Sequence, residues 1–263
     1  MSDASPSDGD RVVGADRVLA VLIELAEHPG GISLDELARQ VDGSKPTVHR
    51  ALASLRKAGL ASQSARGHYE LGDEFLRLAF RYQDSRPPNA RIEPLLRELA
   101  TEFGETAHYA ILDRSDVVYR AKVDPPVGAI RLTSTIGGRN PAYCTAVGKL
   151  LLSYTITTRE LLDTWLADVT LVARTPQTLV DPAALLADIA TSASRGYGID
   201  DQENEVGVNC LAVPVFLEPG RAVSGAISIS GLAYRRSLGS LVGSVDVIRD
   251  TIERHLGDGS TSR

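Results

Sequence analysis

The stretch SLDELARQVDGSKPTVHRALASLRKAG, residues 33–59, decides the fold of the N-terminal part of the chain. Leu34, Leu37 and Ala38 recur at i, i+3 and i+4, the spacing of one helix face. Ser33 stands where an N-cap belongs, and Glu36 three residues later completes a capping box. Val41-Asp42-Gly43 breaks the helix, with Gly43 expected to take the positive φ of a sharp turn. A second helix follows with Val48, Ala51, Leu52 and Leu55 as its apolar stripe, which leaves Ser44, Lys45, Thr47, His49 and Arg50 near its exposed N-terminal end. Short polar and basic side chains there reach base edges when such a helix lies in a major groove. The layout is that of a helix-turn-helix.

Local charge and the sequence on either side agree with this. From Arg39 to Tyr69 six Lys or Arg residues face the single acid Asp42, whereas the whole chain carries a formal net charge of −6. A basic island in an acidic chain is the footprint of a module that neutralises phosphates locally, not through a global field. Leu60-Ala61-Ser62-Gln63 and His68-Tyr69-Glu70-Leu71 read as two short strands around Ser64-Ala65-Arg66-Gly67, a wing whose tip residue Arg66 suits a backbone or minor-groove contact. Upstream, residues 15–28 form an amphipathic helix with Val18, Val21, Leu22 and Leu25 inward. Downstream, DEFLRLAFRYQ from Asp73 carries Phe75, Leu76, Ala79 and Phe80 on a stripe too apolar to stay exposed, which suits either a dimer contact or packing on the chain's own second domain. Ser85-Arg86-Pro87-Pro88 interrupts that helix. A further helix over 90–103 carries Ile92, Leu95, Leu96 and Leu99.

From Glu105 the pattern turns to strands: AHYAILD (107–113), DVVYRAKVD (116–124) and GAIRLTSTIG (128–137). TAVGKLLLSY, TTRELLDTWLAD and PAALLADIATSASRGY read as helices, CLAVPVFLE and AVSGAISISG as strands, and residues 237–257 as one closing helix. This order implies an antiparallel-rich α+β domain. The expected plan is a disordered tail over 1–13, a winged helix-turn-helix domain over 14–72, a linker helix over 73–89, a second domain over 90–257 and a short tail over 258–263. No segment approaches the roughly 18 uncharged apolar residues of a membrane span, and MSDASPSDGD lacks the features of a signal peptide. Cytoplasm is the simple expectation. Two cysteines, Cys144 and Cys210, make no disulfide framework.

Within the second domain, strand alternation in AISISG puts Ile227 and Ile229 on one face and Ala226, Ser228 and Ser230 on the other. In CLAVPVF, Cys210 and Ala212 share a small-residue face. Two hydroxyls among small side chains leave room and hydrogen-bonding capacity for a ligand. The N–H groups of Ala146, Val147 and Gly148, at the start of a helix, are first-turn donors suited to a carboxylate. Asp200 repels a purely anionic ligand and suits a hydroxyl or amine. Together these point to a small, polar, hydroxylated acid. Strand packing for the serines and a loop cap for Asp200 are the competing readings. An enzyme built on Cys210 or Cys144 with His108 or His255 as base is a further alternative, as is a sensor whose winged helix binds protein. Nothing in the spacing brings a histidine to either cysteine, no zinc-ligand or nucleotide-loop spacing occurs, and no catalytic residue, metal or cofactor is assigned.

Three stretches together, KPTVHRALASLRKAGL, PAYCTAVGKLLLS, and RGYGIDDQENEVGVNCLAVPVF followed by SGAISISG, resemble the IclR family of bacterial transcription regulators, from about Arg17 to His255. The resemblance implies a GAF-like effector-binding domain after the winged helix. It also implies a dimer or dimer of dimers on a pseudo-palindromic double-stranded operator, repressing more often than activating, with a small organic or aromatic acid as effector. By the same resemblance the effector-binding positions are Leu132, Tyr143, Ala146, Val147, Asp200, Val208, Cys210, Ser228 and Ser230. Many relatives have a histidine where this chain has Tyr143, so the ligand class is expected to differ.

Overall fold

The computed structural model describes residues 14–64, 67–84, 87–125, 132, 134–218, 222–257 and 260–261. The chain divides into two compact units, Met1–Arg86 and Pro87–Arg263.

In the first unit α1 (Gly14–Ala26), α2 (Leu34–Gln40) and α3 (Lys45–Lys57) pack around Val21, Leu25, Leu37, Val48, Leu52 and Leu55, the apolar stripes of the three helices. The Ser33 hydroxyl accepts the Glu36 N–H while the Glu36 carboxylate accepts the Ser33 N–H, so the capping box forms as the sequence requires. The turn differs in one respect. Asp42, not Gly43, takes the left-handed conformation, at φ 44°. Gly43 is needed for space, since a Cβ there would sit 3.0 Å from Val48 Cγ2. Arg17 of α1 fastens the turn by donating to the Val41 and Asp42 carbonyls at 2.5 and 3.2 Å. The wing is β1 (Ala61–Gln63) paired antiparallel with β2 (Tyr69–Leu71), and Tyr69 also bridges to Ile32. α4 (Asp73–Asp84) closes this unit. Its Leu76 and Phe80 remain 53% and 61% exposed in the single chain.

The second unit is a three-layer arrangement on one antiparallel sheet of order β5-β4-β3-β8-β7-β6. Its strands are β3 (Thr106–Asp113), β4 (Asp116–Val123), β5 (Arg139–Pro141), β6 (Gly198–Asp201), β7 (Val208–Val215) and β8 (Gly225–Leu232). On one face Leu211, Val213, Ile227 and Ile229 meet Leu95 and Leu99 of α5 (Pro87–Phe103) and Ile248 and Ile252 of α10 (Val245–Leu256). On the other lie α6 (Ala146–Leu152), α7 (Arg159–Leu166) and α8 (Pro182–Arg195).

Two sequence expectations fail here. Of the expected third strand over 128–137, Leu132 and residues 134–137 form no strand and the rest lies outside the described residues; the edge position beside β4 is taken by β5 instead. The single closing helix is broken into α9 (Leu238–Val242) and α10 by Gly243 and Ser244, where glycine and a weak helix former interrupt an otherwise apolar period.

Candidate functional site

The first candidate surface is the N-terminal end of α3. Pro46 in the first turn presets the helical φ. Val48, Ala51, Leu52 and Leu55 are buried below, so Ser44, Lys45, His49 and Arg50 are exposed and Thr47 is half-buried. Ser44 flanks the helix without capping it; its hydroxyl shares a 2.8 Å hydrogen bond with the Thr47 hydroxyl. Lys45 Nζ lies 2.8 Å from Asp35 Oδ2 in a solvent-exposed pair, which is worth at most about 1 kcal/mol and is easily exchanged for a phosphate. The other basic side chain of this helix end, Arg50, is free of such a pair among the described residues. Arg66 lies outside the described residues.

The second candidate lies on the inner face of the large sheet. Register sets Asp200 opposite Cys210, Cys210 opposite Ser230 and Ser230 opposite Thr106. The next row along places His108 opposite Ser228, and Ser228 opposite Ala212. Thr106, His108, Asp200, Ser228 and Ser230 are all buried polar residues, gathered where an apolar core would be expected. The N-terminal end of α6 closes over them. Its approach to β6 is possible because residue 198 is glycine: a Cβ there would lie 2.1 Å from the Ala146 carbonyl. Thr145 caps α6 by accepting the Gly148 N–H at 3.0 Å, so that donor, expected to be open, is already used.

Burial dominates the electrostatics. It pushes the Asp200 carboxyl up to about 7, with the nearby Glu203 charge adding to the effect. The backbone N–H groups of Glu203 and Asn204, donating to Oδ1 at 2.7 and 3.4 Å, oppose it. Asp200 thus belongs to a strand and also caps the loop after it. Lys149, only 1% exposed, is held by Glu203 and by Asp188 Oδ2 at 2.8 Å. Burial raises the Cys144 thiol to about 12 and the Cys210 thiol well above its ordinary value. Both are therefore neutral thiols and not nucleophiles. His255 Nε2 pairs with Glu98 Oε2 at 2.7 Å, and His108 Nε2 with Ser134 Oγ at 2.8 Å, so neither histidine serves a cysteine.

Comparison with known proteins agrees with this two-unit plan. Residues 14–65 match the IclR helix-turn-helix domain and residues 81–253 match the family described as bacterial transcriptional regulator IclR C-terminal. The transcriptional repressor IclR of Escherichia coli is 35% identical over 231 residues, covering 86% of this chain and 82% of that protein. The chain belongs to the IclR family of bacterial transcriptional regulators. Its relatives are named as DNA-binding regulators and repressors, not enzymes. A solved structure from Rhodococcus sp. RHA1 superposes with a TM-score of 0.75 at 30% identity, covering 94% of this chain and 98% of that one. An IclR homologue from Microbacterium hydrocarbonoxydans, complexed with 4-hydroxybenzoate, shares the fold at 20% identity and a TM-score of 0.76, over 91% and 98% of the two chains.

In this IclR-family chain the structure gathers Asp200, Cys210, Ser228 and Ser230 into adjacent sheet rows. Val208 lies on the same face opposite Leu232, and Ala146 and Val147 are buried at the start of α6. Tyr143 is buried with its hydroxyl fully engaged, donating to the Val172 carbonyl at 2.9 Å and accepting the Val172 N–H at 3.1 Å. Leu132 takes part through its carbonyl, which accepts from Lys122 Nζ at 3.0 Å. Sequence reasoning missed Thr106, His108, Tyr119 and Lys122 as members of this face. The alternation in TAHYAILD places Thr106 and His108 together, but only strand pairing sets them beside the serines.

Proposed function

We propose that this chain is a ligand-gated repressor of the IclR family that acts as a dimer or dimer of dimers in the cytoplasm. In this reading residues 14–72 bind the operator, 73–89 connect, and 90–257 hold a small-molecule effector. Ser44, Lys45, Thr47, His49 and Arg50 contact successive major-groove half-sites of a pseudo-palindrome, and the wing residue Arg66 makes a backbone or minor-groove contact. The observation that carries the effector reading is the polar patch of buried Asp200, Ser228 and Ser230, with half-buried Cys210 between strands β6 and β8, on one sheet face. Such a patch is costly to bury unless something bonds to it. Tyr143, Ala146, Val147, Val208 and Leu132 complete its walls. The relative that carries the name repressor and the homologue complexed with 4-hydroxybenzoate support repression and a small hydroxylated acid. Regulation requires that the effector bind the operator-competent and operator-released arrangements with different affinity.

The test is a mobility-shift assay on the chain's own promoter DNA, titrated with metabolites of the neighbouring genes' pathway. Ser228→Ala is expected to shift the DNA as the wild type does and to lose the metabolite response. An unchanged dose–response curve in Ser228→Ala overturns the effector site, and failure to shift the promoter overturns operator binding.

A further inference from the structure

His108 is 2% exposed on the inner sheet face, opposite Ser228. Its ring is fixed from two sides. Nε2 shares a 2.8 Å hydrogen bond with Ser134 Oγ, and the ring packs on Tyr119 with centroids 4.9 Å apart at a 45° tilt. Ser134 is itself anchored, because Lys122 Nζ donates to the Leu132 and Ser134 carbonyls at 3.0 and 2.7 Å while pairing with Asp124 at 3.3 Å. Nδ1 is left. It is fully buried and has no hydrogen-bond partner among the described residues. A rigidly oriented imidazole with one satisfied and one orphaned nitrogen costs stability in the empty protein and gains a bond when the right group arrives.

We propose that His108 is a specificity-determining residue of the effector site, its Nδ1 forming a neutral hydrogen bond with a hydroxyl group of a small hydroxylated organic acid. This rests on reading the inner sheet face as the effector site. Burial and the neighbouring Lys122 charge hold the imidazole neutral, with its pKa down to about 3, so it offers no charge to a carboxylate. Whichever tautomer Ser134 selects, Nδ1 is either a donor or an acceptor, and a hydroxyl can answer both. A carboxylate oxygen or a ketone can only accept.

The experiment is calorimetric titration of the full-length protein with matched acids that differ by one hydroxyl: 4-hydroxybenzoate against benzoate, glycolate against acetate, and lactate against propionate. The wild type is expected to bind at least one hydroxylated member about 10-fold tighter than its partner, the size of one buried neutral hydrogen bond. Two variants separate the ring nitrogens. His108→Asn places a polar atom near the position of Nδ1 and is expected to retain most of that ratio. His108→Gln places one near Nε2 and is expected to erase it. A ratio that survives in His108→Gln, or that is lost only in His108→Asn, makes His108 a mere anchor for Ser134 and overturns the proposal. So does the absence of wild-type binding by all three hydroxylated acids. Should both variants unfold, the wild-type imidazole nitrogen resonances decide: Nδ1 must shift on adding the hydroxylated acid, and an unmoved Nδ1 overturns the assignment. Hydroxylated-acid binding that is lost in Ser228→Ala but keeps its ratio in His108→Gln removes His108 alone. Binding equally tight in Ser228→Ala and Asp200→Asn removes the site itself.

Discussion

Asp200 carries a titration that the folded protein alone imposes. Its carboxyl moves from 3.8 to about 7, mainly through burial, so between those values the folded state keeps a proton that the unfolded state has released. The stability this contributes is present below the unfolded value and is lost as pH rises to about 7. Asp200→Asn keeps an oxygen for the Glu203 and Asn204 N–H groups but cannot ionise. The fall in melting temperature from pH 5 to pH 8 is expected to be smaller in Asp200→Asn than in the wild type. An equal or larger fall would contradict the burial argument. Glu203, also raised by burial, leaves a residual slope of the same sign. At the other end of the chain Arg50 is exposed and supports no core packing. Arg50→Ala should weaken operator binding about 10-fold or more, within the roughly 1–3 kcal/mol of one good base contact, without changing the melting temperature. Unaltered affinity at moderate salt would remove Arg50 from the interface.

At the scale of elements, the close seat of α6 on β6 and on the turn at residues 142–144 depends on what is missing from two residues. A Cβ at Gly198 would meet the Ala146 carbonyl at 2.1 Å, and one at Gly148 would meet the Ala142 carbonyl at 2.2 Å. Backbone atoms on both sides cannot yield as a flexible side chain would. Gly198→Ala is therefore expected to cost about 1–3 kcal/mol of stability by overpacking and to displace the start of α6 from the Asp200 row. Calorimetric unfolding checks the first effect, and loss of the effector response with operator binding retained checks the second. Wild-type behaviour in both would mean that α6 has more room than its packing indicates. In α2 and its turn, by contrast, the capping box was legible because both partners lie within four residues. The left-handed residue was misplaced by one position, since Asp tolerates αL and Gly43 is needed instead for its closeness to Val48.

For the whole molecule, the proposed dimer must cover apolar surface that the single chain leaves bare. Leu76, Leu78 and Phe80 of α4 and Leu19 and Ile23 of α1 are all exposed. A dimer engaging two half-sites binds the operator far more tightly than one module can. Phe80→Glu is expected to shift the light-scattering mass toward the monomer and to lower operator affinity at least about 10-fold. A dimer of undiminished operator affinity in that variant would place the interface elsewhere. The sequence by itself determined the helices before the closing one, the capping box, the wing strands and the inward faces of β7 and β8. Each of these follows from apolar periodicity and short-range hydrogen bonding, which a linear chain displays. It could not determine that residues 134–137 would form no strand, that Lys149 would be neutralised by Asp188 and Glu203, or that His108 would face Ser228. Those outcomes depend on strand order, register and burial, which join residues far apart in the chain. They were decided only by the tertiary structure, because desolvation and cross-strand contact come into being when the sheet forms.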